Sequence, residues 1–293
     1  IIVPSFRSDI NSQNDLAEEI ARAIGYDNIK SSQIKIPKKV VHDKDFNLMD
    51  NQIRSLLIDH GFYEVINAPF ISYGNESSMK VDNPLDSNRS FLRKNITDSL
   101  LQNLIFNEKR QKDSIKLFEI SDLYSSNNPQ KKIKKIALIA SGRVGKNYKD
   151  FSRKIDIDYL YSILNVTKSS TLDIKTISRE KLDTKIKSTI VGLEINIDDL
   201  PKAILEYKSI SKHPSEYVKY NPISEFPSTY RDVSYSVTDF NKLKELQHMV
   251  LTFEDIDIKD IFIFDFFENK KLGVIKVGFR FIFQSNIKTM TDN

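Results

Sequence analysis

Apolar residues recur at helical spacing in the first thirty positions, where Leu16, Ala17, Ile20, Ala21 and Ile24 form one stripe that stops at Gly25. A second stripe, Phe46, Met49, Ile53, Leu56 and Leu57, ends at Gly61. Short apolar runs then predict strands at 62–66, 69–72 and 79–81, leading into the Asn83-Pro84-Leu85 turn. Thr97 opens a further helix carried by Leu100, Leu101, Leu104 and Ile105. Runs at 115–121 and 136–141 predict strands flanking a Lys-rich hairpin at 131–135. A helix over 156–164 precedes two more strands, near 171–178 and 187–195. Helices and strands mixed in this order predict an α+β fold with a mostly antiparallel sheet.

The segment 30–44, which contains Pro37, reads as a polar link between domains, and Lys212-His213-Pro214 with Asn221-Pro222 mark a second break at 211–224. Beyond it the pattern is strand, helix, strand, strand. Val233, Tyr235 and Val237 alternate, and Leu243, Leu246, Met249 and Val250 share a helical face. Ile275, Val277, Phe279, Phe281 and Phe283 place five apolar side chains on one face of the last strand. This predicts the first two-thirds of a βαββαβ ferredoxin-like domain.

At 293 residues with 40% hydrophobic content the chain can build more than one core. Its 44 basic and 40 acidic residues leave a formal charge of +4, compatible with RNA binding without requiring it. The absence of cysteine excludes disulfides, thiol catalysis and Cys-based zinc sites. No apolar run approaches the roughly 20 residues of a membrane span, and no signal-peptide pattern opens the chain, so a cytoplasmic protein is expected. Ile1 at the start, and Thr289-Met290-Thr291-Asp292 reading as a cap with no helix behind it, predict a piece of a longer protein.

Candidate chemistry concentrates in Asp9, Asp15, Glu18 and Glu19, four carboxylates within eleven positions. Hard oxygen ligands from an extended segment and an adjoining helix suit Mg²⁺, which takes few protein carboxylates and keeps several waters. The same residues also read as a capping box, Asp15 at the N-cap with Glu18 three residues on, stabilised by the helix dipole. The two readings are compatible.

The run resembles the end of the B5 domain of the bacterial phenylalanine–tRNA ligase beta subunit, whose D-x5-D-x2-E-E pattern the four residues match without a gap. The resemblance continues through Gly61-Phe62-Tyr63-Glu64-Val65, Asn83-Pro84-Leu85, Phe91-Leu92-Arg93 and Leu117-Phe118-Glu119-Ile120. In the tail it rests on 225–233, Glu-Phe-Pro-Ser-Thr-Tyr-Arg-Asp-Val, and 279–285, Phe-Arg-Phe-Ile-Phe-Gln-Ser, which resemble a ferredoxin-fold anticodon-binding domain. It implies three parts: the end of a B5 domain at 1–35, a class II synthetase-like but catalytically silent core at 45–208, and an incomplete anticodon-binding domain at 224–293. It further implies an α2β2 heterotetramer that joins phenylalanine to its tRNA using ATP and Mg²⁺. Asp9, Asp15, Glu18 and Glu19 would hold the magnesium. Catalysis, with ATP and phenylalanine, would belong to the alpha chain, and the OB-fold and editing site would precede Ile1.

An active class II site needs an arginine on its motif-2 strand to stabilise phosphate-centred charge. Leu117-Phe118-Glu119-Ile120 offers a Glu without an Arg-x-Glu pair, so no catalytic residue is expected. The segment 273–280, ending in Arg280, imitates motif 3 but alternates as a structural strand, and 142–146 lacks the spacing of a P-loop. Lys131, Lys132, Lys134 and Lys135 read as a solvated hairpin tip, and His213 and His248 stand without catalytic companions. Phe226, Tyr230, Arg231 and Phe264 could stack on bases and contact phosphate in an anticodon loop; core packing and surface ion pairing explain them equally well. The competing function is a free-standing RNA-binding or regulatory module built from the same domains. A self-sufficient ligase is disfavoured by the missing Arg-x-Glu and by only eight glycines.

Overall fold

The computed structural model describes residues 2–33, 48–74, 78–112, 114–125, 128–165, 172–180, 182–209, 220, 222–269 and 271–291, with the side chains of 125 and 128–131 left out. Most of the predicted link at 30–44, Phe46, and His213 with Pro214 lie outside these residues. The chain divides into two units, Ile1–Phe46 and Asn47–Asn293.

In the first unit the apolar stripe forms α1 (Gln13–Ile24). Its cap is Ser12, not Asp15: Ser12 is extended, its hydroxyl accepts from the Asp15 N–H at 3.3 Å, and the Asp15 carboxylate accepts from the Ser12 N–H at 2.7 Å. The box therefore begins three residues before the expected one, because Ser12 is the last non-helical residue with an acceptor in reach. At the other end Gly25 has φ +86° and its N–H bonds to Ala21 O at 3.0 Å, the left-handed stop expected there.

The second unit opens with α2 (Leu48–Asp59), β1 (Tyr63–Glu64), β2 (Phe70–Ile71), β3 (Phe91–Leu92) and α3 (Thr97–Glu108). There follow β4 (Ile115–Ser125), β5 (Asn128–Ser141), α4 (Tyr148–Phe151), α5 (Ile157–Ile163), β6 (Lys175–Ile177) and β7 (Ile190–Asn196). One sheet runs β1-β4-β5-β7-β6, antiparallel except for the β1–β4 pair, while β2 and β3 pair separately. Ile136–Ala140 of central β5 is buried at every position. Ile136, Leu138 and Ala140 pack with Ile53 and Leu57 of α2 and Leu160 of α5, whereas Ala137 and Ile139 pack with Leu100 and Leu104 of α3. A strand covered on both faces loses alternation, which is why this run is continuously apolar.

The lysine run is part of β5 and not a hairpin tip. Lys132, Lys134 and Lys135 pair in register with Tyr124, Asp122 and Ser121. Carboxylates accommodate them: Lys132 sits 3.2 Å from Asp122, Lys134 bonds Asp50, and Lys135 sits 3.2 Å from Glu194. Glu194 also closes the start of α3, accepting from the N–H groups of Ile96 and Thr97 at 2.9 and 3.1 Å and from Thr97 Oγ1 at 2.8 Å.

The tail comprises β8 (Thr229–Val237), α6 (Phe240–Leu251), β9 (Ile258–Asn269) and β10 (Val274–Phe283), with β10 between β8 and β9 and all pairs antiparallel. Val277 and Phe279 are fully buried on the predicted apolar face, packed with Leu243 and Val250 of α6. A bulge in β9 makes Phe264 the extra residue, since Phe279 pairs with Ile263 and Gly278 with Asp265. The Phe264 ring lies over Gly278, where any Cβ would come within 2.8 Å of it.

Candidate functional site

The acidic end of α1 is built around Arg7. Its Nε donates to Asp9 Oδ1 at 2.9 Å, and a terminal nitrogen donates to Asp9 Oδ2 at 2.6 Å and to Glu19. Arg22 bonds the other oxygen of Glu19. The hydrogen bond from Arg7 holds the Asp9 carboxyl down at about 2 and also lowers Glu19. Asp15 is lowered instead by the N–H groups of Asn11 and Ser12. Glu18 is exposed.

Asp9 and Glu19 thus converge on one cation, the Arg7 guanidinium, while Asp15 is occupied by the backbone. Among the described residues no three acidic or histidine side chains are gathered to hold a metal ion. Asp9 and Glu19 are carboxylate donors of the type Mg²⁺ takes, and both are engaged by Arg7; Asp15 and Glu18 do not join them in this arrangement.

In the middle domain Glu119, on β4, is 2% exposed and faces Arg93, 3% exposed. The guanidinium spans both carboxylate oxygens and also donates to Ser99 Oγ at 3.1 Å and Ser121 Oγ at 3.0 Å. Asn67 adds a bond from Nδ2 to Glu119 at 2.8 Å. The Arg93 Nε is left without a partner. Removing one member of such a pair typically costs about 3–5 kcal/mol, because a charge stays buried and uncompensated. Glu119 is therefore a structural anion locked under an arginine from a neighbouring segment, and it has no free lone pair directed at a substrate. Arg93 lines an open cleft of about 740 Å³ with Asn67, Asp86, Arg89 and Lys94. The sequence contains Phe91-Leu92-Arg93, but only the fold reveals that Arg93 answers Glu119.

On the tail sheet, Tyr230 lies under the Arg280 guanidinium at 4.1 Å, and Arg280 makes two bonds of 2.7 Å to Asp232 across the β8–β10 ladder. The motif-3 imitation is thus a cross-strand pair, as its alternation predicts. Phe264 packs edge-on to Phe151 of α4 at 5.9 Å, and Phe226 is half-buried with its carbonyl bonded to Gln284 at 2.7 Å. Arg231 bonds the Tyr230 carbonyl at 2.9 Å. Tyr230 keeps 56% of its surface exposed. The His248 backbone carbonyl accepts from the Thr252 hydroxyl at 2.7 Å and from the Thr252 N–H at 3.1 Å.

α4 was not foreseen: the loop after Gly142 carries Tyr148 and Phe151, which meet Phe266 at 5.3 Å and Phe262 at 5.5 Å, and Lys146, which pairs with Asp260. Two aromatic residues in a polar loop were the available signal.

Three family models match the chain: the tRNA synthetase B5 domain at residues 1–26, the phenylalanyl tRNA synthetase beta chain CLM domain at 29–191, and the ferredoxin-fold anticodon binding domain at 224–293. The phenylalanine–tRNA ligase beta subunit of Fusobacterium nucleatum is 28% identical over the whole chain, which covers 41% of that protein. Those of Clostridium acetobutylicum and Thermotoga maritima are 26% and 24% identical, again over the whole chain, with 40% and 41% of their lengths covered. The chain spans about two-fifths of the length of these curated relatives. With the beta-chain CLM model matching more than half of its residues, including Arg93 and Glu119, the chain belongs to the phenylalanyl-tRNA synthetase beta chain family.

Proposed function

We propose that this chain serves in the non-catalytic beta subunit of a cytoplasmic phenylalanine–tRNA ligase, an α2β2 assembly that attaches phenylalanine to its tRNA at the expense of ATP. The alpha chain forms the phenylalanyl adenylate, releasing pyrophosphate, and transfers the acyl group to tRNA. The middle domain packs against the alpha chain, and the tail holds the anticodon region.

The observation that carries the non-catalytic role is the Arg93–Glu119 pair. A class II centre keeps its motif-2 charges open to ATP, whereas these two are 3% and 2% exposed and satisfied by each other. Magnesium belongs to the same reading: Asp9 and Glu19 would hold it in exchange with Arg7, supplying a fixed positive charge at the acidic end of α1.

The test is phenylalanine-dependent ATP–pyrophosphate exchange by the full-length protein containing this chain, by the candidate alpha chain, and by the two mixed. Exchange is expected only with the alpha chain present. Exchange by the beta protein alone would overturn the silent-centre reading. No exchange in any mixture would favour a free-standing RNA-binding module.

A further inference from the structure

The turn after α3 and the loop after β5 are tied together, because Ser114 Oγ donates to the Arg143 carbonyl at 2.7 Å. This sets Lys112, two residues before Ser114, on a segment adjoining the loop that carries Lys146. Lys146 in turn reaches the tail, where it pairs with Asp260 beside Lys259. Lys259 is an extra residue in β9, at the register shift between its pairings to Ile282 and Phe283, and it bonds Gln284. The three lysines come from three segments, two in the middle domain and one in the tail; all are exposed, and Lys112 and Lys146 both lie near enough to Lys259 to repel its charge.

The neighbouring cations are already engaged elsewhere. Lys109 pairs with Asp183, Arg110 lies 3.4 Å over the Phe106 ring, and Arg143 lies 4.2 Å over Phe151. Asp260 is the carboxylate that pairs with Lys146, and it also attracts Lys259. Burial, followed by repulsion from Lys112 and Lys146, lowers the pKa of Lys259 against the opposing pull of Asp260. Like charges held this close gain most from a polyanion that spans them.

We infer that Lys112, Lys146 and Lys259 form a phosphate-backbone contact for RNA that bridges the middle domain and the tail. This rests on the tRNA-binding reading above and adds where the backbone crosses. Because the contact is to phosphates, it positions the RNA and reads no bases.

The experiment measures binding of a labelled phenylalanine-accepting tRNA transcript to the full chain by fluorescence anisotropy over a KCl series. Replacing all three lysines by glutamine is expected to weaken binding about tenfold or more at low salt, and to flatten the slope of log affinity against log salt by about 2. The triple Lys→Arg variant should restore both. Asp260→Asn separates RNA contact from domain clamping: it breaks the Lys146 pair while leaving the charge, so binding should hold or tighten.

Unchanged affinity and slope in the triple glutamine variant, with the parent still binding, would overturn this inference and leave the tRNA reading standing. Weakening by Asp260→Asn equal to that of Lys146→Gln would also overturn it, making Lys146 a clamp. A parent chain that fails to bind the transcript at low salt would remove both readings.

Discussion

At the scale of single residues, the decisive question at α1 is which cation Asp9 and Glu19 hold. Asp9 is exposed and Arg7 and Glu19 are half-buried, and a guanidinium–carboxylate pair still open to solvent is weak and salt-sensitive, so a divalent ion can compete with Arg7 for the two oxygens. Arg7→Ala is expected to tighten magnesium binding severalfold, and Asp9→Asn with Glu19→Gln to abolish it. Amide shifts of residues 9–19 during a magnesium titration would report both. No shift at high magnesium in either the parent or Arg7→Ala would remove the metal from this end of the helix. The spacing of the four carboxylates was legible in the sequence. The role of Arg7 was not, because its contacts to Asp9 and Glu19 depend on the turns that precede α1, where an extended segment was expected.

Among elements, the long central strands are instructive. The five-residue apolar run of β5 was legible as a strand, and so was the alternation of β10. The outer half of β5 was misread, because a lysine run carries no strand signal until Asp50, Asp122 and Glu194 stand beside it. Lys116 of β4 shows the same dependence on context. Its ammonium donates to the carbonyls of His60 at 3.0 Å and Val144 at 2.6 Å and to Tyr159 Oη at 2.7 Å, tying the end of α2, the loop after β5 and α5 together. Burial pushes its pKa from 10.5 down to about 8. Between those values the unfolded chain keeps a proton that the folded chain releases, so this group's contribution to stability rises with pH. Burial pushes Tyr159 up from 10.0 to about 12, so it stays protonated in the fold across that window and opposes the trend only above pH 10. The stability difference between the parent and Lys116→Met, from urea denaturation, should therefore increase from pH 8 to pH 10. A flat difference would show that the amine is as well solvated as in the unfolded chain.

For the whole molecule, the relevant fact is how little core the tail has. Among the described residues Leu243, Val250, Val277 and Phe279 are its buried apolar side chains, and a three-stranded sheet with one helix is marginal unless its other face is also covered. In the second unit that cover comes from α4. Phe151 meets Phe262 at 5.5 Å and Phe264 at 5.9 Å, and the Arg280 guanidinium lies 4.8 Å from its ring centre. The β9 bulge and Gly278 make this possible, by turning Phe264 onto the sheet face where no Cβ obstructs it. Aromatic pairs contribute roughly 0.5–1.5 kcal/mol each and the cation–π contact about 0.5–1, so Phe151→Ala should cost the docking about 2 kcal/mol or more. The loss should be local. Hydrogen exchange at the β9 and β10 amides is expected to accelerate at least tenfold, while the Ile136–Ala140 amides of β5, buried in the middle domain, keep their protection. Equal acceleration in both places would mean that the two sheets open as one cooperative unit, and no change at β9 would mean that α6 alone holds the tail together.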